Sequence, residues 1–207
     1  SSDPRQQSRS FQERICPWPI TCASITETLA ACIMGAAGLE KGRRRRHHNK
    51  AVFPHLDRGT PPKDPLVTTN DLTFLRAALN LAEQNSADGK GGPFGAFVVR
   101  EGTVVGQGGN QVVEGLDPTA HAEVMAIRDA SRNLGTHVLE HCTIYCSCEP
   151  CPMCLSAIYW AHIPRVVYAA TSGDARTAGF DDSRIREELR LSWGDRSVEV
   201  LRALPEE

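Results

Sequence analysis

The chain has 207 residues, of which 41% are hydrophobic and 23% charged, an ordinary globular usage that excludes collagen-like, mucin-like and wholly disordered sequences. Its formal net charge of −2 excludes a molecule that binds nucleic acid through overall positive charge. The charge is divided unevenly, because residues 1–64 carry +5 and the remaining residues carry −7.

The length fits one domain with an appendage, and a Gly/Pro-rich stretch at 59–65 marks the boundary. We expect residues 1–65 to be a basic leader that is disordered or cleaved, followed by the folded domain at 66–207. Hydroxyl side chains and Glu27 interrupt the apolar stretch at 20–39, so no membrane span is predicted. The Arg43–Arg46 cluster follows that stretch, the reverse of a secretory signal. We therefore expect a cytoplasmic protein, with organelle targeting or a nuclear address in the leader left open.

The domain's elements are predicted from hydrophobic spacing and turn residues. Leucines at helical spacing predict a first helix that begins near residue 71, is capped by Asn70 or Asp71, and ends before the glycines at 89–92. The later elements are a β-hairpin at 95–106, a helix at 121–135, a strand at 143–145, a helix at 150–160, a strand at 165–169, a short helix at 182–191 and a strand at 198–201. Strands separated by helices predict an α/β fold with a sheet covered on both faces.

Three potential metal ligands lie at the starts of two predicted helices. His121 begins one helix, and the Cys-x-x-Cys pair Cys151 and Cys154 opens another. Three protein ligands with an open fourth position are typical of catalytic zinc, whose bound water ionises near neutral pH. Glu123, two residues after His121, is placed to accept a proton from that water and to deliver it to a leaving group.

Other interpretations of these cysteines are open. Cys146, Cys148, Cys151 and Cys154 are also compatible with a four-thiolate structural zinc or an iron–sulfur site, and an isolated Cys-x-x-Cys is often a redox pair. The pattern His-x-Glu followed by Pro-Cys-x-x-Cys, however, is the signature of zinc nucleobase deaminases. It favours catalytic zinc, with Cys146 and Cys148 as strand and loop residues.

Residues 71–182 resemble the cytidine deaminase-like superfamily and, within it, the guanine deaminases of the bacterial type. The His-Ala-Glu and Glu-Pro-Cys-x-x-Cys motifs are shared with tRNA adenosine deaminases. Other motifs favour the guanine enzymes, as does the acidic domain, which would repel a tRNA backbone. Guanosine deaminase and tRNA adenosine deaminase remain open as alternatives. The matching segments are Gly91–Ala96, Asn110, Asp117–Val124, Ser147–Cys154, Ala157–Ala161 and Gly179–Asp182, of which Ser147–Cys154, Tyr159–Ala161 and Gly179–Asp182 favour the guanine enzymes.

The resemblance implies a three-layer α/β/α sandwich with a mixed central sheet and zinc-dependent hydrolysis of guanine to xanthine and ammonia, a reaction of purine catabolism or salvage. It also implies a homodimer that takes a small purine base and water as substrates, not nucleic acid or a membrane. The alternative roles left open are a simple core position for Phe94, a turn for Asn110 and a helix N-cap for Asp182. The implied site residues are His121, Cys151 and Cys154 for zinc, Glu123 and Asp182 for catalysis, and Asn110, Phe94 and Ala122 for substrate binding.

The sequence departs from the family pattern in its last segment. Family members carry an aromatic residue near the terminus, which in the exchanged dimer closes over the partner's site. Here no aromatic residue follows Trp193, and Arg184 and Arg186 stand where the family tends to have aromatics. We therefore expect an altered lid, with lower turnover or broader substrate choice.

Overall fold

A computed structural model of the chain describes residues 67–203, so the predicted leader at 1–65 lies outside the described residues. The elements in chain order are α1 (Thr69–Ala87), β1 (Gly95–Arg100), β2 (Thr103–Gly109), α2 (Val112–Gly115), α3 (Ala122–Leu134), β3 (Cys142–Cys148), α4 (Pro152–Trp160), β4 (Arg165–Ala170), α5 (Ser172–Thr177), α6 (Ser183–Glu188) and a 3₁₀ turn (Trp193–Asp195).

The four strands form one mixed sheet in the order β2-β1-β3-β4. Strand β1 pairs antiparallel with β2 and β3, whereas β3 and β4 are parallel because α4 crosses between them. Alternate residues of a strand point to opposite faces. Val98 accordingly packs with α3 and α4 on one face, and Val99 packs with α1 on the other. The predicted sandwich of helices on both faces of a mixed sheet is confirmed.

Helix α3 packs closely against β2 because small side chains of the helix face glycines of the strand. Its inner face carries Ala122, Ala126 and Ala130, each at most 1% exposed. A Cβ at Gly106 or Gly108 of β2 would lie 2.5 Å from backbone atoms of α3. Only glycine therefore allows this approach, which sets where the first turn of α3, with His121 and Glu123, meets the sheet.

A buried carboxylate joins α1 to the middle of the sheet. Asp71 accepts hydrogen bonds from both terminal nitrogens of Arg165 at 2.7 and 2.9 Å and from the Tyr145 hydroxyl at 2.7 Å. It also accepts from the backbone N–H of Thr68, while the Thr68 hydroxyl accepts from the N–H of Asp71, a capping box. Helix α1 is thus capped and docked by one side chain.

Two sequence predictions are wrong in detail. The N-cap of α1 is Thr68 rather than Asn70 or Asp71, because Asp71 occupies the third helical position of the capping box. Residues 198–201 form no strand; Val198 and Val200 are 69% and 46% exposed, so their alternation has no sheet to pair with. None of the helices between residues 67 and 203 has the length and apolarity needed to cross a membrane.

Candidate active site

The predicted metal ligands converge on one point. His121 and Cys151 are the N-cap residues of α3 and α4, and neither side chain caps its own helix. The His121 Nδ1 atom lies 3.6 Å from the Cys151 Sγ and 3.5 Å from the Cys154 Sγ. Within residues 67–203, these three side chains are the only group of three or more His, Cys, Asp or Glu residues placed to share a metal ion.

The donor set fits zinc in its type and in its spacing. A tetrahedral zinc ion with Zn–S of about 2.3 Å and Zn–N of about 2.05 Å separates nitrogen from sulfur by about 3.6 Å. The observed separations match that value. One imidazole and two thiolates leave a fourth position for water or substrate, as in catalytic rather than structural zinc sites.

The electrostatics of the two cysteines also favour a cation. The neighbouring Cys154 and the His121 ring hold the pKa of the Cys151 thiol well below its usual range. The resulting thiolate opposes a second ionisation beside it, because like charges at this distance repel. A divalent cation removes that conflict and permits both sulfurs to be thiolates.

Cys146 and Cys148 do not join this group. Burial raises the pKa of the Cys148 thiol to about 12, and burial raises that of Cys146 well above its usual value. Both therefore stay neutral thiols, and the Cys148 Sγ instead lies 3.6 Å from the Thr171 carbonyl oxygen. Neither position supports the four-thiolate interpretation.

Glu123 lies in the first turn of α3 and is only 8% exposed. Burial raises the pKa of its carboxyl, because loss of water disfavours the charged form. A buried carboxyl group with a raised pKa can both accept and release a proton during a reaction. His121 and Glu123 lie at the same cavity although they are only two residues apart, because His121 precedes the helix in extended conformation.

A cavity of about 650 Å³ opens beside the metal ligands, within the range of small-molecule sites. Phe94 and Asn110, for which the family resemblance implies substrate contacts, both line it. The Phe94 ring meets Phe180 edge to face, with centroids 4.9 Å apart. The side chain of Ala122 instead packs in the core, so a substrate contact at this position would have to use its backbone.

Asp182 lines the same cavity and stands at the N-cap position of α6, but its side chain does not cap the helix. Its carboxylate instead accepts from Arg186, whose Nε lies 3.0 Å from each oxygen and whose Nη2 lies 2.9 Å from Oδ2. Arg186 also donates to the Pro150 carbonyl oxygen at 3.3 Å and pairs with Glu149 at 3.4 Å. In the sequence, Arg186 is marked only by its departure from the family pattern; in the structure it ties α6 to the loop before Cys151.

Residues 68–170 match the family model of the cytidine and deoxycytidylate deaminase zinc-binding region. Over 129 residues the chain is 50% identical to guanine deaminase of Bacillus subtilis (strain 168), which spans 62% of this chain and 83% of that protein. The chain belongs to this family of zinc-binding deaminases.

The solved structure of the Bacillus subtilis guanine deaminase superposes with a TM-score of 0.63 at 48% identity, over 64% of this chain and 85% of that one. The solved structure of a variant of another protein, NE0047, in complex with 8-azaguanine has a TM-score of 0.52 at 37% identity, over 54% of this chain and 65% of that one. The tRNA-specific adenosine deaminase of Aquifex aeolicus (strain VF5) is 42% identical over 97 residues, which is 47% of this chain and 64% of that protein. The chain is a guanine deaminase homologue with a zinc-binding deaminase domain, which confirms the predicted resemblance and cofactor.

Proposed function

We propose that the chain hydrolyses guanine to xanthine and ammonia, as a step of purine catabolism or salvage. One observation carries the proposal: His121, Cys151 and Cys154 converge at a cavity that Glu123 also lines. The 50% identity to a guanine deaminase supports guanine as the substrate. A zinc ion held by these three residues would activate water for attack on an amino-bearing ring carbon.

The chain's own residues supply the remaining steps. Glu123 takes the proton released from water, delivers it to the adjacent ring nitrogen and then assists the departure of ammonia. Asn110 hydrogen-bonds the purine edge, and the base lies near Phe94. Asp182 contacts the departing amine. The two phenyl rings of Phe94 and Phe180 exclude water from the apolar side of the base.

The alternatives differ in substrate or in chemistry. Guanosine deaminase and tRNA adenosine deaminase would use the same metal and the same glutamate on a larger substrate. A folded but inactive relative would bind zinc without turnover. A panel of guanine, guanosine, cytosine, adenine and a tRNA stem-loop, assayed by ammonia release with zinc quantification, separates these possibilities. We expect about one zinc per chain, as a three-ligand site requires, and ammonia from guanine.

Two substitutions test the assigned chemistry. Glu123→Gln keeps the shape of the side chain but removes the proton carrier, so we expect activity to fall by at least about 10²-fold with zinc retained. His121→Ala removes a ligand, so zinc content should fall as well. Full activity in Glu123→Gln, or full zinc retention in His121→Ala, would contradict the proposal.

We also propose that the chain forms a homodimer through the exposed end of α4. Tyr159 and Trp160 there are 73% and 81% exposed. Large aromatic side chains are enriched at protein interfaces. Leu155 of the same helix adds a further exposed apolar side chain. Such neighbouring exposed aromatics on a folded domain are typical of a surface that another chain covers.

A further inference from the structure

Asn85, near the carboxyl end of α1, links two segments that line the cavity without lining it itself. Its side chain is 6% exposed. The Nδ2 atom donates to the Gly92 carbonyl oxygen at 3.0 Å and to the Asn110 carbonyl oxygen at 2.8 Å. Both N–H bonds of one amide are therefore used to hold the Gly91–Gly92 turn against the end of β2.

The two linked segments also hold each other. The Asn110 Oδ1 atom accepts from the backbone N–H of Val112 at 3.2 Å and from that of Gly92 at 3.4 Å. A Cβ at Gly91 would overlap the Asn110 carbonyl oxygen, so the turn has no room to shift inward. The turn, the end of β2 and Asn85 thus form one closed set of contacts.

This set fixes which way the Asn110 amide faces. Backbone N–H groups only donate, so the atom facing Gly92 and Val112 must be the oxygen. The Nδ2 atom then takes the other side, and it is not a buried atom without a partner. Asn110 consequently presents N–H donors to the cavity that it lines.

We infer that Asn85 is a positioning residue for substrate recognition: it holds the Gly91–Gly92 turn and Asn110 so that the Asn110 amide donates to a ring nitrogen or carbonyl acceptor of the purine. The inference rests on the proposed function for its substrate class. It assigns Asn85 to binding rather than to the chemical step, because its contacts run to the turn and to Asn110 and not to the metal ligands.

The test compares Asn85→Ala and Asn85→Asp with the unmodified enzyme. Asp keeps the volume of the side chain but replaces the donor nitrogen by an oxygen that faces two carbonyl oxygens. Loss of the two hydrogen bonds should raise KM for guanine and the Kd of 8-azaguanine by about tenfold in both variants. We expect kcat to stay within about threefold and zinc content to be unchanged, since the metal ligands are not displaced.

Asn133→Ala provides the matched control. The Asn133 Nδ2 atom also donates to a backbone carbonyl, that of Val105 at 2.9 Å, but this residue does not line the cavity. Its replacement should lower Tm without changing KM or Kd. A KM within twofold of the unmodified value in both Asn85 variants, with a Tm shift like that of Asn133→Ala, would overturn the inference.

Hydrogen exchange in the ligand-free protein tests the role of Asn85 without relying on guanine as the substrate. In the ligand-free protein, Asn85→Ala should accelerate amide hydrogen exchange at Gly91, Gly92, Phe94 and residues 110–112 relative to Asn133→Ala. Unchanged exchange there would overturn the inference whatever the substrate is. Absence of guanine turnover in the unmodified enzyme, with faster exchange in Asn85→Ala, would instead contradict the proposed function alone.

Discussion

At the scale of single residues, Asp71 shows how one buried charge is accommodated away from the active site. Its carboxylate is 2% exposed and accepts from Arg165, Tyr145 and Thr68. The Arg165 guanidinium holds the pKa of Asp71 well below its usual range. Burial and the Asp71 carboxylate raise the pKa of Tyr145 to about 12.

The Asp71 network predicts how stability depends on pH. A carboxyl whose pKa is depressed on folding contributes stability above its unfolded value, here 3.8, and loses that contribution as the pH falls below it. Tyr145 acts at the other end, because its contribution is present below pH 10 and is lost as the pH rises towards 12. For Asp71, urea unfolding between pH 2.5 and 7 should show a loss of folding stability below about pH 4.

Asp71→Asn isolates that contribution. The variant leaves Arg165 with a neutral partner, and because Arg165 is partly exposed we expect a loss of about 2–3 kcal/mol at pH 7. The loss should shrink as the pH falls below 3.8, because the unfolded carboxyl then carries a proton that must be released when the carboxylate forms in the folded protein. Equal losses at pH 7 and at pH 2.5 would show that the carboxylate charge is not the cause.

At the scale of elements, the contact between α3 and β2 determines the position of the metal site. Ala126 sits opposite both Gly106 and Gly108, so two elements without bulky side chains meet backbone to backbone. The N-terminal end of α3 carries His121 and Glu123. A shift of this helix would therefore move the imidazole away from the sulfurs of α4.

Gly108→Ala tests this dependence. The added Cβ would lie 2.5 Å from the Ala122 carbonyl oxygen and from the Ala126 nitrogen, and backbone atoms cannot rotate away as a side chain can. We expect a loss of about 1–3 kcal/mol, measured by urea unfolding, together with reduced zinc content. Gly194→Ala is the control, because a Cβ there meets nothing within 4 Å. Normal zinc content in Gly108→Ala would show that the helix tolerates the shift.

At the scale of the whole molecule, the proposed dimer is tested by sedimentation velocity at micromolar concentration. We expect one dimeric species, and Trp160→Asp should convert it to monomer, because a charge would be buried at the end of α4. Trp193→Asp is the matched control: this tryptophan is also exposed, at 65%, but it already has Arg196 over its ring at 4.0 Å. A monomeric unmodified protein would contradict the dimer.

The sequence predicted the features that depend on local pattern. Apart from the short helix α2, which was not predicted, the helices and strands up to β4 follow from hydrophobic spacing, and the metal ligands follow from motif spacing at helix starts. The roles of Asn85 and Arg186 could not be predicted in this way, since each depends on contacts between segments distant in sequence. The strand predicted at 198–201 is wrong for the same reason: a strand also depends on contacts with a distant segment, because alternation makes a strand only where a partner strand is available.

The contacts of Arg186 also affect how substrate enters the cavity and how product leaves it. One guanidinium joins the Asp182 carboxylate, which lines the cavity, to the loop that leads into Cys151, so charged contacts hold α6 against this loop. Because Arg186 and both carboxylates are only partly shielded, dissolved ions weaken that attraction. Ionic strength would then govern how readily the base enters and its product leaves.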